Sequence, residues 1–137
     1  MSRGIGALAR LVLQDDETVI YEYGGYNLND EAFRNEQRIL DGTITIKKSC
    51  FPEPEIHEQL KKMPSGRKKL ITKRIPVIVD YDRLFRDRSI EVEDCSNCWM
   101  KTDDELQIDI MACHIIYKLF RQYQEQGVIP ECVGYYV

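Results

Sequence analysis

Apolar and polar side chains alternate along several segments of the chain, a pattern typical of β-strands that bury one face. Residues 7–23 predict a β-hairpin, because two alternating runs flank a polar turn at residues 15–17. Two further alternating runs, at residues 43–48 and 90–93, each predict a strand. A last strand is predicted at residues 132–137. The pattern therefore indicates a chain rich in β-structure.

Helical signals occupy four other segments. A cap at Asn29 or Asp30 predicts a short helix that continues to about residue 40, and residues 80–86 predict one helical turn. Residues 52–62 predict a helix, because prolines open the segment and its acidic and basic ends suit the helix dipole. A capping box that starts at Thr102 predicts the longest helix, at residues 103–126.

The order of these elements indicates the fold class. Residues 69–80 predict one or two more strands, with an edge or a break at Pro76. Because the strands run together rather than alternating with helices, we expect an α+β fold. It should contain an antiparallel sheet, short helices and one long C-terminal helix. With 137 residues, 43% of them apolar, the chain is expected to form a single domain spanning residues 1–137.

Positive charge is concentrated in one part of an acidic chain. Nine of the nineteen Lys and Arg residues lie within residues 47–74, which carry a net charge of +6, whereas the whole chain carries −4. The overall charge argues against DNA as a partner, but a local basic block favours a site for a compact anion. The alternative is an ordinary solvated basic loop.

Neither a membrane span nor a signal peptide is predicted. No apolar run approaches the ~18 residues that a span needs, and Arg10 interrupts the short apolar stretch near the N-terminus. We therefore expect a cytosolic protein that does not bind membranes. Its five cysteines should be thiols in that compartment.

The sequence offers little catalytic chemistry. The Cys95-Ser-Asn-Cys98 motif could hold two zinc ligands or form a redox pair, but no second CxxC or HxxxH motif completes a zinc site. The helix is predicted to start too late for a redox motif, so we interpret both residues as plain loop cysteines. With two histidines, no G-x-S-x-G motif and no Gly-rich phosphate loop, we expect no enzyme, catalytic residue, metal or cofactor.

Groups suited to ligand binding are better represented. Asn97 and Trp99 lie in a loop before the long helix, where an amide can hydrogen-bond a base and an indole can stack on it. Arg121 lies near the end of that helix, and Arg34 shares a face of the predicted short helix with Arg38. The alternatives are core packing for Trp99 and an ordinary surface cation for Arg121.

Five segments together resemble a known family. They read RGIGALARLV (3–12), YEYGGYNLN (21–29), EPEIHEQLKKMPSGRKK (53–69), CSNCW (95–99) and KLFRQYQEQGVIP (118–130). On these segments, which span most of the chain, it resembles the phage anti-Thoeris sponge family, the first type of Thoeris anti-defence protein. The CxxC motif is not a feature that we associate with this family.

The resemblance implies a function in immune evasion. Members of this α+β family sequester cyclic ADP-ribose isomers, such as glycocyclic ADP-ribose, that bacterial TIR-domain enzymes make. They bind the signal without cleaving it, in the cytoplasm of the infected host. Some members also bind cyclic di- or trinucleotides of CBASS immunity at a separate site. The family forms homodimers that can assemble into homohexamers.

The resemblance also implies site residues. Family pockets use aromatic stacking, an Arg from the C-terminal helix and an Asn, for which the nearest matches are Trp99, Arg121 and Asn97. Arg34 is a weaker match for the pyrophosphate. The basic second site would involve Lys47, Arg67 and Lys68. Two other classes remain open: an acidic protein-binding inhibitor, such as the immunity protein of a nuclease toxin, and a small zinc- or thiol-dependent enzyme.

Overall fold

A computed structural model describes residues 2–137, which form an α+β fold as predicted. The strands are β1 (Ile5–Gln14), β2 (Thr18–Asn27), β3 (Gly42–Lys47), β4 (Glu55–Lys62), β5 (Lys68–Ile75), β6 (Ile90–Glu93) and β7 (Cys132–Tyr136). The α-helices are α1 (Tyr81–Arg86) and α2 (Ile110–Gln126). Five strands form an antiparallel sheet in the order β6-β3-β2-β1-β7, and β4 and β5 form a separate hairpin.

Helix α2 packs across one face of the five-stranded sheet and forms the core with it. Alternate residues of β2, including Tyr21 and Tyr23, are fully buried on this face. They pack in one cluster with residues of α2 such as Ile115 and Leu119. The buried residues that alternate along the strands and those that repeat along α2 therefore form one shared apolar layer. Among residues 2–137, no helix has both the length and the apolar character that a bilayer crossing requires.

The N-terminal hairpin is confirmed. Strands β1 and β2 pair antiparallel, with an irregularity between Leu11 and Leu13. The side chain of Asp15 holds the turn, since its carboxylate accepts hydrogen bonds from the backbone N–H groups of Glu17 and Thr18, both at 2.8 Å. These bonds also lower the pKa of Asp15. The strands predicted at residues 43–48, 90–93 and 132–137 are likewise present as β3, β6 and β7.

The helix predicted at residues 52–62 is wrong, because this segment forms strand β4. It pairs with β5 in continuous register from Glu55↔Ile75 to Lys62↔Lys68. A tight turn closes the hairpin, where Met63 N–H donates to the Arg67 carbonyl at 2.7 Å. A favourable order of charges adds only tenths of a kcal/mol to an exposed helix, and pairing with β5 supplies a full ladder of backbone hydrogen bonds instead. Every residue of β4 is exposed, so the hairpin projects from the body.

Two helix starts also differ from the prediction. Helix α2 begins at Ile110 rather than at residue 103, because Asp109 caps it through a 2.9 Å hydrogen bond from Met111 N–H. Thr102 instead donates its hydroxyl hydrogen bond to Asp104 within the preceding loop. The helix predicted from Asn29 or Asp30 is reduced to a single 3-10 turn at Glu31–Phe33. The predicted helical turn at residues 80–86 is present as α1.

Candidate ligand-binding site

A cavity of about 350 Å³ lies between α2 and the segment that follows β5. This segment leaves the strand at Pro76, which lacks the N–H group needed to continue the ladder. Residues 76–79 form one wall, Tyr81 lies at the end of that wall, and three residues of α2 form the other wall: Tyr117, Arg121 and Gln124. The side chain of Arg121 is 58% exposed, so the cavity opens to solvent.

The α2 wall follows from helical periodicity. Tyr117, Arg121 and Gln124 are separated by four and three residues, so they share one face of the helix. Arg121 donates from Nε to Glu125 Oε1 and from Nη1 to the hydroxyl of Tyr117, both at 3.2 Å. The hydrogen bond to Glu125, then that to Tyr117, raises the pKa of Arg121. Within residues 2–137 its Nη2 makes no hydrogen bond, which leaves a fixed cationic group available to a ligand.

Two tyrosine rings add an aromatic surface to the same cavity. The ring of Tyr81 stacks on buried Phe120, with centroids 5.8 Å apart and planes inclined by 14°. The ring of Tyr117 lies 6.4 Å from that of Tyr81. Burial raises the pKa of Tyr81 to about 12, so its hydroxyl stays neutral. The cavity therefore combines a guanidinium group, which suits phosphate, with rings that can stack on a base.

Gln124 holds the opposite wall in place. Its side chain is only 4% exposed, its Oε1 accepts a hydrogen bond from Val77 N–H at 2.6 Å, and its Nε2 donates to the Val77 carbonyl at 3.4 Å. Arg74 also donates from Nε to the Gln124 backbone carbonyl at 2.8 Å. These bonds tie residues 76–79 to α2 and define the width of the cavity.

Gln124→Ala is expected to lower the free energy of unfolding by about 1–3 kcal/mol, because the partly buried N–H and carbonyl groups of Val77 lose their partners. Urea denaturation measures this loss. Gln126→Ala is the control, since this exposed residue lies at the end of the same helix and should change stability by about 0.5 kcal/mol or less. Equal stability of the two variants would show that the Gln124–Val77 bonds do not hold this wall.

Asn97 and Trp99 lie far from Arg121 within one chain. They precede the N-terminus of α2, where the Met100 carbonyl accepts a hydrogen bond from Ile110 N–H at 3.0 Å. Eleven helical residues separate Ile110 from Arg121, which corresponds to ~16 Å along the axis. Trp99 is half-buried and packs against the core, and its indole Nε1 is buried without a hydrogen-bond partner. One protomer therefore does not bring these three residues together.

Arg34 lies on the opposite side of the sheet. A Cβ added at Gly25 would meet Met111 of α2, whereas one added at the neighbouring Gly24 would meet the carbonyl of Ile39. Successive strand residues point to opposite faces, so the segment after β2 covers the face away from α2. Arg34 belongs to this segment, where its Nε lies 3.4 Å from Glu36. It is therefore separate from the cavity at Arg121.

Lys47 is also apart from Arg67 and Lys68, the other two basic residues predicted for the second site. Lys47 ends β3 and lines a separate open cavity of about 350 Å³ with Asp16 and Glu17. Arg67 and Lys68 lie at the tip of the β4–β5 hairpin, seven residues from its base at Glu55. At ~3.3 Å per residue this is ~23 Å. The structure therefore divides the basic block between the body and the tip of the hairpin.

Of the residues that line this cavity, only Arg121 is among the site residues predicted from the sequence. Tyr117 and Gln124 share a helix face with Arg121, so spacing alone could have identified them. Tyr81 and residues 76–79 reach the cavity through long-range packing, for which the sequence carries no local pattern.

Comparison with protein-family models, with characterised proteins and with solved structures finds no match to this chain.

Proposed function

We propose that this protein is a sponge that binds a cyclic ADP-ribose isomer, such as glycocyclic ADP-ribose, and withholds it from its receptor without cleaving it. The observation that carries the proposal is the cavity in which Arg121 lies beside Tyr117 and Tyr81. A pyrophosphate would accept hydrogen bonds from the guanidinium group, and an adenine would stack on a tyrosine ring. The resemblance to anti-Thoeris sponges, carried by segments across most of the chain, points to the same ligand class.

The groups around the cavity favour binding over catalysis. Neither histidine lines it: His57 lies on the exposed hairpin 3.2 Å from Glu55, and His114 stacks on Tyr135 with ring centroids 4.1 Å apart. Burial also lowers the pKa of His114. The cavity wall supplies a cation and aromatic rings but no nucleophile paired with a base. Such a set stabilises a bound ground state, which is what sequestration requires.

A second subunit would complete the site. The cavity lies at the small end of the ~300–1,000 Å³ range of ligand pockets and is open on one side. Asn97 and Trp99, which the family resemblance assigns to the ligand, lie at the other end of α2. A two-fold axis crossing α2 would bring Asn97 and Trp99 of one protomer towards Arg121 of its partner. We therefore propose a homodimer, able to assemble further, as the binding unit.

The test is uptake followed by release. The protein is incubated with glycocyclic ADP-ribose, separated from free ligand by ultrafiltration and denatured by heat, and the supernatant is analysed by mass spectrometry. Recovery of the intact molecule supports a sponge. A changed product would indicate an enzyme. If no cyclic ADP-ribose isomer or cyclic oligonucleotide is taken up, the sponge proposal is wrong and a protein-binding inhibitor becomes the better hypothesis.

We also propose that the hairpin tip binds a cyclic di- or trinucleotide. Residues 55–75 contain seven Lys and Arg and two Glu, a net charge of +5. The cross-strand pairs Lys61↔Lys69 and Lys62↔Lys68 place like charges directly opposite each other, which is unfavourable without an anion. Bound phosphates would remove this repulsion. Because the hairpin is almost wholly exposed, several hairpins would converge on one ligand in an oligomer.

Arg67→Glu combined with Lys68→Glu is expected to weaken cyclic trinucleotide binding at least ~10-fold, since two charged donors are lost. Uptake of cyclic ADP-ribose isomers should be unchanged. Isothermal titration calorimetry with each ligand measures both effects. The control is Arg3→Glu with Arg88→Glu, which changes the net charge equally at two exposed positions outside the hairpin. Equal loss in both double variants would show that net charge, rather than the hairpin, determines binding.

A further inference from the structure

A mixed cluster of thiols and carboxylates lies where β6 leads into the loop before α2. Asp94, Cys98 and Asp109 each place one potential ligand atom within 4.8 Å of the others. Cys95 adjoins this group, with its Sγ 3.6 Å from Oδ2 of Asp109, but its sulfur does not lie within 4.8 Å of all three donor atoms. Both cysteines are free thiols. Two sulfur and two oxygen donors thus lie close together in the fold, within a 16-residue stretch of the sequence.

The fold holds these donors firmly. Asp109 is completely buried and caps α2 through its Oδ1, which accepts from Met111 N–H. Its Oδ2 accepts a hydrogen bond from the hydroxyl of Tyr23 at 2.8 Å. The two cysteines are joined in a tight turn, in which Cys98 N–H donates to the Cys95 carbonyl at 3.2 Å. Asp109 and the turn that carries the two cysteines are therefore held by backbone bonds and by a partner on β2.

The acidic side chains of the cluster have a basic partner at its exposed edge but none in its buried part, within the residues that the structure describes. Lys101 is the only basic side chain paired with the cluster among residues 2–137, and its Nζ lies 2.7 Å from Oδ2 of Asp94 at the exposed edge. A divalent cation bound here would balance the charge of the buried Asp109 carboxylate and would favour the thiolate form of a cysteine ligand.

We propose that Asp94, Cys95, Cys98 and Asp109 bind one Zn²⁺ ion in a closed structural site. Thiolate and carboxylate donors are ordinary zinc ligands, and a CxxC turn commonly supplies two of four tetrahedral positions. Ideal Zn–S and Zn–O bonds of ~2.3 and ~2.0 Å place sulfur and oxygen ~3.5 Å apart, close to the 3.6 Å between Cys95 and Asp109. Tyr23 acts as an outer partner that orients the Asp109 carboxylate.

This site changes the interpretation of the CxxC motif. Among cysteines and histidines alone, no spacing in the sequence completes a zinc site, so the sequence predicts no metal. The fold adds two carboxylates, one of which lies eleven residues after Cys98. Zinc would fasten the loop that carries Asn97 and Trp99 to the N-terminus of α2. The site acts through structure, with all four positions filled by protein and none left open for a substrate.

Cobalt and zinc titrations test the site without any nucleotide. Metal-free protein is prepared with chelator and reductant, then titrated with Co²⁺ and afterwards with Zn²⁺. We expect a thiolate-to-cobalt charge-transfer band that saturates at one equivalent and disappears when zinc displaces cobalt. Zinc should also raise the melting temperature. Absence of the charge-transfer band in the wild-type protein would overturn the proposal.

Matched variants identify the ligands. Cys98→Ser is expected to weaken zinc binding more than ~100-fold, since even outer partners of a metal site contribute ~10–100-fold. Cys132→Ser is the control, because Cys132 is an exposed cysteine on β7. Asp94→Asn supplies a second ligand variant at the exposed edge of the site, with folding checked by circular dichroism. Wild-type zinc affinity in a folded Cys98→Ser or Asp94→Asn variant would reject the assignment.

Discussion

Phe120→Ala is expected to lower the free energy of unfolding by ~3–5 kcal/mol, the largest stability loss that we predict. The ring is fully buried and lies edge-on to Phe51, with centroids 5.0 Å apart. Its other face stacks on Tyr81. Removing the ring would leave a void among three structural units: the segment after β3, helix α1 and helix α2. The void is costly because packed interiors relax only partly.

Chemical denaturation followed by circular dichroism measures this loss. Tyr136→Ala is the control, since it removes an aromatic ring that is 64% exposed on β7. We expect it to change stability by about 1 kcal/mol or less. If Phe120→Ala costs no more than this control, the Phe51–Phe120–Tyr81 cluster does not support the body of the protein. The cavity wall at Tyr81 would then have no rigid backing.

The sheet could be predicted from the sequence because its signal is local. In β1, β2 and β3, alternation places apolar side chains on the face that α2 covers, so the pattern and the packing agree. Helix α2 was predicted for the same reason, and Gly127 ends it with a φ of +73°. Its start was misplaced because two capping signals compete. Thr102 has the better local motif, but only Asp109 points into the core.

The hairpin could not be predicted by the same means. Residues 55–62 bury no face, so their sequence lacks the alternation of apolar and polar residues that marks a strand. The order of their charges also suits a helix dipole. These residues form a strand because they pair with β5, which follows them in the chain after a turn at Gly66, where φ is +86°. Pairing of this kind depends on a second segment. A local pattern therefore cannot distinguish it from a helix.

The candidate sites, too, could be predicted only as far as local sequence patterns reach. The sequence predicts the helix that carries Arg121, whereas the opposite wall of the cavity comes from residues 76–81. The cluster of Asp94, Cys98 and Asp109 also depends on the fold, because the loop before α2 and the start of α2 bring these residues together. The sequence shows which chemical groups the chain contains, and the fold determines which of these groups lie close to one another.

Arg121→Ala is expected to weaken binding of a cyclic ADP-ribose isomer by about 1.5–3 kcal/mol, or roughly 10- to 150-fold. The variant removes a charge-assisted donor from the cavity beside Tyr117. Stability should change little, because the side chain is largely exposed and its i,i+4 pair with Glu125 contributes only ~0.3–0.5 kcal/mol. Calorimetry gives the affinity and thermal melting gives the stability.

Arg86→Ala is the matched control for Arg121→Ala. Arg86 is also largely exposed, and its Nε also donates to an acid one helical turn away, Asp82, at 2.9 Å. It lies outside the cavity, so its loss should leave affinity unchanged. Arg121→Lys adds a finer test, since it keeps the charge but loses the planar fork that recognises two phosphate oxygens. If Arg121→Ala binds as tightly as Arg86→Ala, the ligand does not occupy this cavity. If Arg121→Lys retains wild-type affinity while Arg121→Ala loses it, charge rather than bidentate geometry holds the pyrophosphate.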